Sequence, residues 1–165
     1  MKIRALLTVL CASFALVGCG QKESPSGASA EAASAAASGP RTIEITAGDN
    51  MKYNISTIEA KPGEELKVVL TNIGTAPIEA MGHNWTLLKA GTDVAAFSTA
   101  AAVAKDTGYI PAALAGQVIV HTKLLGPRKS DEVTFKAPDQ PGEYPFLCTF
   151  PAHYQVGMKG TLIVK

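Results

Sequence analysis

The chain has 165 residues, 18% of them charged, with 15 Lys and Arg against 14 Asp and Glu. That length holds one ordinary domain plus appendages. The near-neutral balance, with no basic run and no long acidic tail, excludes a nucleic-acid partner and makes any docking surface apolar rather than strongly charged.

The N-terminus stands apart from the rest. Lys2 and Arg4 form a short basic region, Ala5 to Val17 an apolar run, and the run ends in Leu16-Val17-Gly18-Cys19. This reads as a secretory signal, too short and wrongly flanked for a transmembrane helix. Small residues directly before a cysteine resemble the lipobox of bacterial lipoproteins, which would make residues 1–18 a signal peptide and Cys19 the lipidated first residue. An ordinary signal cut nearby, with Cys19 incidental, is the alternative. Of the three cysteines, Cys11 would leave with the signal and Cys19 would be acylated, so Cys148 has no partner for a disulfide. Loss of Lys2 and Arg4 would leave 13 basic groups against 14 acidic ones.

Residues 19–40 read as the lipidated cysteine and a flexible linker. Ala28 to Ser38 holds seven alanines, three serines and one glutamate, with no large apolar side chain to bury. Such a tether spans roughly 25 Å root-mean-square and at most about 70–75 Å extended.

From residue 41 to residue 165 the pattern is β. Thr42–Thr46 alternates, and Leu66–Thr71 follows the turn signal Lys61-Pro62-Gly63. Asn84–Leu88, Gln117–His121, Glu132–Lys136, Glu143–Cys148 and Gly160–Val164 complete a set of short strands. Separators such as Gly126-Pro127 and Gln140-Pro141-Gly142 lie between them. Short strands with Gly/Pro turns indicate an all-β sandwich or barrel. One segment departs from this: Thr92-Asp93 can cap a helix running from Val94 to about Lys105.

The chemistry-bearing residues gather near the C-terminus. Cys148-Thr149-Phe150-Pro151-Ala152-His153 is followed by Met158, and His83 lies upstream in Met81-Gly82-His83-Asn84-Trp85. One thiolate, two imidazoles and one thioether form the donor set of a trigonal copper site with a weak axial Met. Zinc would want four strong tetrahedral ligands, for which a thioether is a poor choice. Softness therefore favours one copper ion cycling between Cu(I) and Cu(II). Only three histidines exist, two of them in this set, so no multi-histidine catalytic copper centre can be built in the chain. A Cys148–His153 nucleophile pair is the other chemistry these residues allow, but no oxyanion-forming motif accompanies it.

Four blocks carry a family resemblance: Met81–Trp85, Val118–Gly126, Cys148–Pro151 and Gly157–Thr161. Together, and in this order, they resemble the azurins, within the cupredoxins. The resemblance implies a cupredoxin-like Greek-key β-sandwich or barrel with a helical flap insertion, and Trp85 in its core. It implies a type 1 (blue) copper electron-transfer protein, not an enzyme, with His83, Cys148 and His153 in a plane. Met158 and the backbone carbonyl of Gly82 would be weak axial donors. Backbone N–H groups of Asn84 and Phe150 would point at the Cys148 sulfur, and the Asn84 side chain would tie the two ligand loops together. Met51, Met81, Phe150, Pro151 and Ala152 would form an apolar collar around His153, the electron exit. Implied partners are redox proteins such as c-type cytochromes, reductases or peroxidases, with room for weak, transient self-association. The setting implied is the envelope of a Gram-negative bacterium. The chain would be anchored by its N-terminal lipid to the outer membrane, with the domain in the periplasm or at the surface. A copper-buffering role uses the same ligands and stays open at this point.

Several positions depart from the azurin pattern. The His153–Met158 interval is one residue longer and resembles that of plastocyanins and auracyanins. Ala152 stands where a loop glycine is usual, and Asn72 stands where a pH-linked histidine is common, which implies no proton-coupled switch there. The first and third strands lack the usual cysteine staple. His121 matches a non-ligand surface histidine.

Overall fold

The computed structural model describes residues 39–165. The expected signal peptide, the lipidated Cys19 and all of the linker except Gly39 and Pro40 lie outside the described residues. Eight strands follow in order: β1 (Arg41–Ala47), β2 (Thr57–Ala60), β3 (Glu65–Asn72), β4 (Thr86–Leu88), β5 (Val118–His121), β6 (Ser130–Lys136), β7 (Gly142–Leu147) and β8 (Lys159–Val164). A four-residue helix α1 (Ile78–Met81) precedes β4, and helix α2 (Val94–Ala102) lies between β4 and β5.

The strands form two sheets, ordered β1-β3-β6 and β2-β8-β7-β4-β5. This is the expected two-sheet β-sandwich with a small helical insertion. The alternating residues of β1 and β3 turn Ile43, Ile45, Leu66, Val68 and Leu70 inward, as a half-buried strand requires. Trp85 is fully buried between Phe146, at 5.5 Å between ring centroids, and Phe135, at 6.0 Å. It is therefore a core residue, as the resemblance implied. Gly160 allows a close contact: a Cβ there would fall 2.3 Å from the Phe146 ring and 2.4 Å from the Ser56 carbonyl oxygen. Without a disulfide, β1 is held by a parallel ladder on β3 from Arg41↔Leu66 to Ala47↔Asn72.

The element boundaries differ from the sequence reading at identifiable places. β4 starts at Thr86 rather than Asn84, because side chains take up the backbone groups before it. The Trp85 N–H donates to Thr122 Oγ1 at 2.9 Å, and the Tyr53 hydroxyl donates to the Asn84 carbonyl. β7 stops at Leu147, and the Cys148 N–H turns to the Met158 carbonyl at 3.1 Å. Helix α2 stops at Ala102, short of Lys105, and a 3-10 turn at Lys105–Thr107 follows. Its expected cap is present: the Asp93 carboxylate accepts from the Ala96 N–H at 3.0 Å. Strand β2, helix α1 and the 3-10 turn Ala112–Gln117 were not read from the sequence.

Candidate metal centre

Three segments meet at one end of the sandwich. Gly82 passes so close to α1 that a Cβ would lie 2.9 Å from the Ile78 carbonyl oxygen and 3.0 Å from the Leu124 side chain. Only glycine lets the chain take this path. Next to it His83 is fixed by a two-way backbone bridge with Leu125, at 3.1 and 2.7 Å. Cys148 directly follows β7. After it the chain makes a compact loop, with His153 N–H donating to the Phe150 carbonyl at 3.2 Å and Met158 N–H to the His153 carbonyl at 2.9 Å.

This brings the donor atoms of His83, Cys148 and His153 within 4.8 Å of one another. The Cys148 sulfur lies 3.4 Å from His153 Nδ1 and 4.0 Å from the Gly82 carbonyl oxygen. The two imidazole centroids are 4.9 Å apart. Cys148, His83 and Met158 are fully buried and His153 is 2% exposed. Separations of this size suit an ion bonded at about 2 Å to each atom.

A further sign is that neither ring nitrogen of buried His83 completes a hydrogen bond. Buried polar atoms are rarely left so, and a ligating imidazole is a standard remedy. The Gly48 carbonyl faces this ring without closing a bond; with Asp49 it acts to raise the pKa, but burial lowers it and prevails. Burial also lowers His153 to about 4, with the neighbouring His83 adding to the effect. Both rings are thus neutral, as ligands must be. Burial pushes the Cys148 thiol up to about 12, opposed by backbone N–H groups of Asn84 and Phe150. A thiol nucleophile needs a depressed pKa and access to solvent; Cys148 has neither, which speaks against the Cys–His nucleophile pair.

Asn84 does link the two ligand segments. Its Nδ2 donates to Thr149 Oγ1 at 2.7 Å, and its Oδ1 accepts from the Thr149 N–H at 2.9 Å, all of it buried. Thr149 itself was not singled out from the sequence; only its place next to the cysteine could have drawn attention to it.

One member of the expected collar belongs elsewhere. Phe150 is 8% exposed and lies between His153, at 4.7 Å, and Tyr109, at 5.1 Å. It supports the ligand ring from inside rather than presenting a surface. Met51, Met81 and Pro151 are half-buried and Ala152 is exposed. Ala152 adopts φ 69°, the left-handed conformation for which glycine is suited, and Met51 does the same at φ 54°. Exposed His121 bonds through Nδ1 to the Thr122 carbonyl at 3.0 Å and takes no part in the cluster. Asn72 is buried, donating to the Leu125 carbonyl at 3.1 Å and accepting from the Gly74 N–H at 2.8 Å.

Comparison with known proteins agrees with this geometry. Residues 41–165 match the model of the copper binding proteins of the plastocyanin/azurin family. An azurin of Pseudomonas fluorescens biotype A is 35% identical over 126 residues, covering 74% of this chain and 97% of that protein. Auracyanin-B of Chloroflexus aurantiacus is 33% identical over 126 residues, 75% of this chain; the match spans only 52% of that protein's length. Among solved structures, a dithionite-reduced auracyanin from Roseiflexus castenholzii superposes with a TM-score of 0.67 at 40% identity, over 77% of this chain and 99% of that one. The chain thus belongs to the plastocyanin/azurin family of copper-binding proteins, as a cupredoxin of the blue-copper electron-transfer type.

Proposed function

We propose that this protein carries single electrons between redox proteins of a bacterial cell envelope while tethered there by a lipid on Cys19. The observation that carries the reading is the buried cluster of one thiol and two imidazoles, with both His83 nitrogens left unpaired. Met158, buried in the same loop, adds the thioether that selects copper over zinc. His83, Cys148 and His153 would hold the ion, with Met158 and the Gly82 carbonyl as weak axial donors.

Bound copper supplies one-electron chemistry at this site. The chain's own contribution is to keep the donors fixed and dry. His83 is bridged to Leu125, Asn84 is tied to Thr149, and Phe150 braces His153. Groups held this way need little rearrangement when the charge of the site changes. In this reading Met51, Met81, Pro151 and Ala152 would surround His153 with apolar surface, which favours brief docking and excludes water. Redox proteins such as c-type cytochromes, reductases or peroxidases are the partners this reading names. The role is that of a carrier, not an enzyme: with three histidines in the chain and two in the cluster, only His121 is left, too few for a multi-histidine catalytic copper centre.

The tether and location rest on sequence alone. Leu16-Val17-Gly18-Cys19 followed by an Ala/Ser-rich stretch supports a lipid anchor, in this reading to the outer membrane of a Gram-negative bacterium, with the domain in the periplasm or at the surface.

Addition of Cu(II) to the purified chain, followed by visible absorption and EPR, is the test. An intense blue thiolate-to-copper band with narrow copper hyperfine splitting is expected, lost in Cys148→Ser. A pale solution with ordinary copper parameters would sink the assignment. Fast electron self-exchange is expected of a carrier; slow exchange with tight Cu(I) retention would instead indicate copper buffering. Cys19→Ala should leave membrane fractions, and continued membrane association would remove the lipid tether.

A further inference from the structure

The four residues between His153 and Met158 are gripped from outside the ligand loop. Tyr154 packs against a small buried cluster of Leu88, Phe97, Ala101 and Leu147, separate from the main core. Two of these, Phe97 and Ala101, stand on helix α2, the insertion that lies outside the sandwich in sequence. Ser98, between them and also buried, accepts a hydrogen bond from Gln155 Nε2 at 3.3 Å. Lys159 places its ammonium 4.6 Å from the centre of the Tyr154 ring, a cation–π contact on the other side. From the β1–β2 connection, the Lys52 ammonium donates to the Val156 carbonyl.

Inside the loop the backbone is stiff. Gly157 N–H donates to the Tyr154 carbonyl at 3.0 Å, and Met158 N–H to the His153 carbonyl at 2.9 Å. A displacement at Tyr154 is therefore passed on to His153 on one side and Met158 on the other.

We propose that helix α2 is a positioning element for the metal centre: through Phe97, Ser98 and Ala101 it holds Tyr154 and Gln155, and so fixes the separation of the His153 and Met158 donors. Tyr154 is the principal positioning residue. The one-residue-longer loop gives the helix something to hold. Because the axial thioether tunes the potential of such a site, the helix acts on the redox balance without touching the ion. This inference rests on the copper reading above.

The test uses Tyr154→Ala, Tyr154→Phe and Gln155→Ala in the full chain, with and without copper. Tyr154→Ala should change the ratio of Cu(II) to Cu(I) affinity at least three-fold, about 28 mV at 59 mV per decade for one electron. Its EPR hyperfine splitting should move as well. Tyr154→Phe keeps the ring and its contact with Lys159, and should restore both readings. Gln155→Ala should give a smaller shift in the same direction. Without metal, hydrogen exchange at the Gly157 and Met158 amides should quicken about ten-fold in Tyr154→Ala and stay at the wild-type rate in Tyr154→Phe. A fall in thermal stability with potential, hyperfine splitting and exchange all unmoved would overturn the proposal and leave α2 as packing only. Should Tyr154→Ala fail to fold, an unchanged potential in Gln155→Ala and Ser98→Ala would overturn it equally. A wild-type chain that gives no blue band overturns the copper reading itself, whereas a blue wild type with unmoved variants overturns only this inference.

Discussion

Replacing Asn84 with Ala removes a side chain that ties the His83 segment to the start of the Cys148 loop. Two buried hydrogen bonds disappear, of 2.7 and 2.9 Å. Each contributes about 1 kcal/mol net, and leaving the Thr149 N–H buried and unpaired costs about another 1–3 kcal/mol. The sum is about 3–5 kcal/mol, a large part of the roughly 5–15 kcal/mol by which a domain of this size is stable. At about 3–5 °C per kcal/mol, interpolated for this length, the metal-free melting temperature should fall by about 10–25 °C. Thermal unfolding of Asn84→Ala, Thr149→Ala and the double variant measures it. Thr149→Ala removes one of the two bonds, so the two losses should overlap by about 1 kcal/mol or more in the cycle. A loss below about 1 kcal/mol for Asn84→Ala, with no overlap, would mean that the tie is geometric coincidence and that the ligand segments are held by packing alone.

Other consequences are equally direct. Gly160→Ala should destabilise the domain by about 1–3 kcal/mol or more, because its Cβ would meet the Ser56 carbonyl oxygen at 2.4 Å and backbone cannot swing aside; chemical denaturation reads it, and a neutral result would refute the contact. Ala152→Gly should stabilise by up to about 1 kcal/mol: relief of a left-handed alanine, worth about 1–2 kcal/mol, exceeds the entropy glycine adds to the unfolded chain, about 0.4–1 kcal/mol. A clear loss of stability would show that φ 69° carries no strain at this position. Metal-free stability should decline as pH falls from about 6.5 towards about 4, since His153, lowered to about 4 by burial, binds its proton more readily once unfolded. His83, also lowered by burial, acts in the same direction. A flat urea midpoint across that window would contradict it. At pH 7 copper(II) loading should release one proton, from the Cys148 thiol held up at about 12, because both histidines are already neutral. Calorimetric titration in buffers of different ionisation heat counts it; a release near three would mean both imidazoles start protonated.

The ligand chemistry was legible because it depends on residue type and order. One thiol, two imidazoles and a thioether at these spacings leave few alternatives, and the structure brings His83, Cys148 and His153 together. Long alternating strands such as β1 and β3 were legible for the same reason: the period is in the sequence. What escaped was set by partners distant in the chain. β2 is four residues long and takes its identity from the parallel pairing of Thr57–Ala60 with Thr161–Val164, which no local pattern announces. The start of β4 moved because Thr122 captures the Trp85 N–H that a regular ladder would have used, whereas the Cys148 N–H bond to the Met158 carbonyl continues the β7–β8 register by one pair. Phe150 shows the same limit in the site. Its type and its place in the ligand loop suit a surface collar, but the Tyr109 ring on the far side draws it inward.

That inward turn bears on how the centre can work. An electron carrier needs ligands that do not move when the ion's charge changes, and a surface soft enough to let partners go. The two demands fall on neighbouring residues of one loop. Phe150, Thr149 and Met158 are buried and hydrogen-bonded or stacked in place, while Pro151 and Ala152 sit at the surface between them. His153 stands at the junction, 2% exposed and braced from within by Phe150. Placement of the ring by buried neighbours, rather than by Pro151 and Ala152, lets those two surface positions change while the His153 ring stays fixed.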